Sequence, residues 1–174
     1  MQTRPLLHLV TGTCVAIIGV GAITYAASVR TVEINDQCDA ATFNAVLGDG
    51  ACTNTAGVPF DVFLNQVTTT GKAGPWHFAP GIVQLEDGEA VQARNTGGET
   101  HTFTEVDHFG GGFVDLLNQL SGNPVPVPEC NPVTNPDIQF VAPGQQTKPD
   151  HEEPGVHHYQ CCIHPWMRTD VVVR

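Results

Sequence analysis

YQCCIHPWM, residues 159–167, decides how this chain is read. It sets a thiol at Cys161, an imidazole at His164 and a thioether at Met167, each three residues after the last. Thiolate and imidazole together suit copper, and a weak thioether completes the set when the metal must cycle between Cu(I) and Cu(II). A further donor has to come from elsewhere, and His101, within NTGGETHTFTEV (95–106), is the candidate. Once Met1 is lost, Met167 is the sole methionine of the chain.

Simpler readings compete with this one. Cys161 could be half of a disulfide and His164 a surface histidine, but neither accounts for the spacing to Met167. Zinc favours additional Cys and His and has little use for a thioether. His77, His108, His151, His157 and His158 show no comparable spacing, so they are expected at the surface or in hydrogen bonds.

The final Y-x-C-x-x-H-P-x-M, followed by the apolar TDVVV (169–173), resembles the cupredoxins, or blue copper proteins, of the short-loop, amicyanin-like kind. FAPGIVQLEDGEAVQARNTGGETHTFT (78–104) is similar to that family's strand, Gly-turn, strand, Asn-turn and first copper His. The resemblance covers roughly 76–108 and 138–174. It implies a single copper ion held by His101, Cys161 and His164, with Met167 as a long axial contact, and it makes Thr102 a neighbour of the thiolate. Pro165 and Trp166, inside the ligand loop, are expected to stiffen it and keep water out.

The periodicity of the chain agrees with an all-β, Greek-key β-sandwich. Strand-like segments recur at 30–34, 82–85, 90–95, 101–106, 138–141, 157–161 and 171–173, between turn signals such as Gly88 and Gly97-Gly98. Only 113–120 (FVDLLNQL) reads as a short helix, with apolar residues at 113, 116, 117 and 120. His101 and Cys161 are 60 positions apart, more than a compact cupredoxin needs. The surplus is assigned to an insertion over 109–136, opening on Gly110-Gly111-Gly112 and containing Cys130.

Residues 28–174 make one domain's worth of core. Residues 1–27 read as a signal peptide: Arg4 precedes an uncharged run, and Thr24-Tyr25-Ala26 offers a cleavage site. A retained membrane anchor is the alternative, since about 20 apolar residues can span a bilayer. Either implies export, to the periplasm or beyond. Without the leader, six Lys and Arg face eighteen Asp and Glu, a net charge near −12. That excludes nucleic acid, whose binding needs cationic contacts to phosphate, and favours steering toward a basic partner.

Six cysteines become five when Cys14 leaves with the leader. An odd count in an oxidising compartment suggests two disulfides and one special thiol. Adjacent strand residues face opposite ways, so Cys161 and Cys162 cannot easily share one metal. Cys161 is therefore assigned to copper, with Cys130–Cys162 and Cys38–Cys52 as the expected bridges; spacing alone does not fix that connectivity.

The function expected is that of an exported, monomeric, non-enzymatic electron carrier, exchanging single electrons with redox partner proteins through an exposed edge of His164 ringed by an apolar patch. A copper oxidoreductase component would want H-x-H pairs for further copper centres, and the chain has none. A copper-trafficking protein would want Met- and His-rich segments, which are also lacking.

Overall fold

The computed structural model describes residues 28–136 and 138–174. The leader or anchor expected over 1–27, with Cys14 and the cleavage residues Thr24, Tyr25 and Ala26, lies outside the described residues. Nine strands and three short α-helices follow one another as β1 (Val29–Asn35), α1 (Ala40–Leu47), α2 (Phe60–Thr70), β2 (His77–Ala79), β3 (Ile82–Leu85), β4 (Ala90–Asn95), β5 (His101–Thr102), β6 (Thr104–Val106), α3 (Asp115–Leu120), β7 (Phe140–Val141), β8 (Gly155–Gln160) and β9 (Arg168–Val173).

The strands form an all-β sandwich. One sheet has the order β2-β1-β4, the other β3-β9-β8-β6, and β5 pairs with β7 beside them. Side chains that alternate along a strand bury one face: Val32 and Ile34 on β1, Thr169, Val171 and Val173 on β9. With Leu85, Val91, Ala93, Phe103, Val141 and Tyr159 they make the core between the sheets.

Four pairings position the site. β1 runs parallel to β4, with Ile34 opposite Asn95, so the chain that leaves β1 emerges beside the turn that leaves β4. The expected strand over 101–106 divides at Phe103: His101 and Thr102 pair with β7, whereas Thr104–Val106 pair with β8. β8 and β9 are antiparallel neighbours, and the ligand loop 161–167 is their connection.

The helical content departs from the sequence expectation. Besides α3, the stretch between β1 and β2 folds as α1 and α2. Asp39 caps α1, its carboxylate accepting from the Thr42 backbone N–H. Helix α2 presents Phe60, Phe63, Leu64 and Val67 to the core, the i, i+3, i+4, i+7 stripe of an amphipathic helix. Helix α3 begins at Asp115 rather than 113, and Phe113, ahead of it, donates its N–H to the carbonyl of Cys162.

Both expected disulfides are present, Cys38–Cys52 and Cys130–Cys162, leaving Cys161 as the free cysteine among the described residues. The 109–136 insertion is held by more than its bridge. Gly110 N–H donates to Gln160 Oε1, Gly111 and Val127 exchange backbone bonds across the loop with Val125 and Gly111, and Arg168 reaches Asn123 at 2.6 Å. Gly112 sits so close to the ligand loop that a Cβ there would lie 1.8 Å from the Cys162 carbonyl oxygen.

Candidate metal centre

The loop that follows β8 is closed on itself. Cys161 N–H donates to Met167 O, Met167 N–H donates to His164 O, and Arg168 Nε donates to Pro165 O. A seven-residue connection tied in this way turns Cys161 and His164 toward the same point. His101 arrives there from β5, across the sandwich. The donor atoms of His101, Cys161 and His164 all lie within 4.8 Å of one another, and all three residues are buried.

Both imidazoles present Nδ1 to the sulfur, His101 at 3.7 Å and His164 at 3.9 Å. Their Nε2 atoms point away: His101 to Asp36 Oδ2 at 2.9 Å, His164 toward Glu99 Oε2 at 3.9 Å. Thr102 lies beside the thiol as the sequence suggested. Its backbone N–H approaches Sγ at 3.4 Å, and its hydroxyl accepts from the Cys162 N–H at 2.7 Å. Met167 is fully buried in the hydrophobic core that also holds Cys161.

The electrostatics match a site that holds a cation. Burial opposes ionisation of the Cys161 thiol, yet hydrogen bonds and charge from His101 and His164 pull it well below its ordinary range. Burial likewise disfavours the charged form of His101, but Asp36 and the Cys161 thiolate raise it to about 9. The metal-free protein therefore places a proton on His101 where a metal would sit. Burial also raises Glu99 above the ordinary carboxylate range, against the neighbouring His164 and the bond from Trp76 Nε1. A buried free cysteine sulfur faced by two imidazole Nδ1 atoms fits copper, which takes one thiolate and two imidazoles in a trigonal set.

One expectation is corrected here. The edge of His164 is not exposed: the side chain is 3% accessible. Phe63 of α2 lies edge-on to it at 6.1 Å and Trp166 at 5.4 Å, with Phe43, Phe60 and Trp76 packed at tilted angles behind Phe63. The cause is the helical segment between β1 and β2, which covers the end of the sandwich where an apolar patch was expected. The Phe60-Phe63-Leu64-Val67 stripe was available in the sequence to reveal that helix. Asp36 and Glu99 carried no such signal, being isolated acids in turns.

The other histidines take the hydrogen-bonded or exposed places expected of them. His157 Nδ1 meets Glu105 at 2.7 Å and Glu152 at 3.2 Å, His158 meets Asp170 at 2.7 Å, and His108 is exposed.

No family model and no curated protein matches the chain. Solved structures similar to it are cupredoxins. A purple cupredoxin from Nitrosopumilus maritimus shares 15% identity over 83% of this chain and 98% of that one, with a TM-score of 0.45. An oxidized proline-to-glycine mutant of amicyanin shares 14% identity over 88% of each chain, at 0.41. A Cu(I) methionine-to-alanine mutant of amicyanin shares 18% over 56% of this chain and 73% of that one, at 0.36.

Proposed function

We propose that this protein is a single-electron carrier with one copper ion held by His101 Nδ1, Cys161 Sγ and His164 Nδ1, and with Met167 as a weak further donor. The observation that carries the reading is the buried triangle of two Nδ1 atoms on one free cysteine sulfur. Copper, when bound, would supply a one-electron Cu(I)/Cu(II) couple. The chain's own part is to hold three donors in a closed loop and one strand, so that neither oxidation state reorganises them. Phe63 and Trp166, backed by Trp76, leave His164 almost without solvent contact, which favours a carrier over an enzyme.

Electrons would pass through this cover rather than from a bare imidazole edge. Trp166, half-buried and in contact with His164, is the outermost ring of the route. Two disulfides favour an oxidising, exported setting, and the acidic surface favours a basic redox partner. No helix of the described residues is long and apolar enough to cross a membrane. The domain is proposed to act as a monomer.

Visible absorption and EPR of the copper-loaded, oxidised protein test this. An intense thiolate-to-Cu(II) band that vanishes in Cys161→Ser is expected. A colourless protein that takes up zinc in preference to copper would overturn the reading.

A further inference from the structure

The two oxygens of Asp36 are occupied in a way that leaves little freedom to the chemistry around them. Asp36 follows the end of β1, and its side chain is completely buried. Because β1 and β4 run parallel, it meets the turn after β4, 62 to 65 residues further along the chain. Its Oδ1 accepts from Cys38 N–H at 3.1 Å and Gly98 N–H at 2.9 Å, with Asn54 Nδ2 at 3.4 Å. Its Oδ2 accepts from Glu99 N–H at 3.0 Å and meets His101 Nε2 at 2.9 Å.

The pocket is shaped for this carboxylate. A Cβ on Gly97 would fall 1.9 Å from Oδ2, so only glycine lets the turn close on it. The Cys38–Cys52 bridge ties down the residue that supplies one of the backbone donors. Burial works against charge here, but the bonds from His101, Glu99 and Gly98 hold Asp36 below the ordinary carboxylate range.

Backbone N–H groups can only donate, so both oxygens must accept. Three backbone donors shared between the two oxygens favour the ionised carboxylate, which has no proton to offer His101. Nε2 of His101 must then be the donor, and Nδ1, the atom facing Cys161, is left with its lone pair whenever His101 is neutral.

We propose that Asp36 is a positioning residue for the metal centre: its carboxylate fixes the tautomer and orientation of His101 and biases the site toward Cu(II). The proposal rests on the copper reading given above. Among the described residues His164 has no equivalent partner, since Glu99 stands 3.9 Å from its Nε2, beyond hydrogen-bonding distance. The two copper imidazoles are therefore electronically unlike. An anion hydrogen-bonded to a ligand makes that ligand a stronger donor and favours the higher oxidation state.

The test compares wild-type protein with Asp36→Asn, which keeps the shape and removes the charge. Loss of such a partner typically weakens metal binding about 10- to 100-fold. Cu(II) affinity is expected to fall at least tenfold relative to Cu(I), a rise in reduction potential of about 59 mV for each tenfold. A purely structural Asp36 would lower thermal stability and leave the potential unmoved, and a coloured variant with wild-type potential overturns the proposal. Should the variant fail to fold, pulsed EPR of the wild-type Cu(II) protein decides. Two inequivalent remote imidazole nitrogens are expected, and two equivalent ones overturn the assignment. A wild-type protein without a copper chromophore would remove the copper reading itself, and this proposal with it.

Discussion

Cys161 and Cys162 are neighbours with opposite fates, and separating them experimentally is the sharpest check on the centre. Replacing Cys130 and Cys162 together by alanine removes one bridge and leaves Cys161 untouched. The bridge spans a sequence separation of 32. In the chain-entropy account a closed loop of that length is worth about 3.7 kcal/mol, between the values for 15 and 100 residues. For a domain of this size each kcal/mol moves the melting midpoint by about 2–4 °C, so a fall of about 7–15 °C is expected. Both half-cystines are buried with Val106 and Val127, and alanine leaves a small void that adds to the loss. The insertion should loosen but not detach, since Phe113 N–H still donates to the residue 162 carbonyl and Arg168 still holds Asn123. Calorimetry of the copper-loaded variant measures the first effect, and hydrogen exchange at Gly111 and Phe113 the second. The visible band should keep its position and intensity. A bleached variant with an unchanged melting midpoint would show that the wrong cysteine has been given to the metal.

Three further outcomes are expected. Met167→Leu should keep fold and colour and raise the reduction potential, because a donor that favours Cu(II) is lost; a lowered potential in redox titration would exclude Met167 from the ligand set. Phe63→Ala should cost about 3–5 kcal/mol in denaturant titrations and bring water to His164, seen as increased proton relaxation by the Cu(II) protein. Unchanged relaxation would mean that the helical cover does not seal the site. His101, raised to about 9 in the metal-free protein against about 6.5 for a free imidazole, is protonated at pH 7 and must lose that proton to bind copper. Apparent copper affinity should therefore climb with pH until about 9 and level off above it, and calorimetry in buffers of different ionisation enthalpy should count the proton released; a pH-independent affinity between 6 and 8 would contradict the pairing with Asp36.

The ligand loop was legible from residues alone because its information is local. Cys161, His164 and Met167 stand on a single connection between two strands, and a three-residue rhythm survives any arrangement of the rest of the chain. Strand periodicity was equally readable: 82–85 and 90–95 coincide with β3 and β4, because alternating burial is written residue by residue. The assignment of Cys161 as the free thiol followed from its spacing to His164 and Met167; adjacency argued only that Cys162 could not share the same metal, and both cysteines stand in the loop after β8. Even the missed helix α2 left its mark in the spacing of Phe60, Phe63, Leu64 and Val67.

What the tertiary structure alone decided is which distant groups touch the ligands. Asp36 reaches His101 only because β1 and β4 are parallel and end side by side, a pairing that no window of sequence encodes. Glu99 and Trp76 meet near His164 for the same kind of reason, each brought by a turn whose partner lies elsewhere. The burial of His164 depends on where α2 docks, not on whether it forms. Periodicity and spacing are properties of neighbours along the chain, so the sequence carries the candidate donor set. The charge beside His101 and the cover over His164 are properties of neighbours in space, and in the proposed carrier these would set the potential and the route by which an electron leaves.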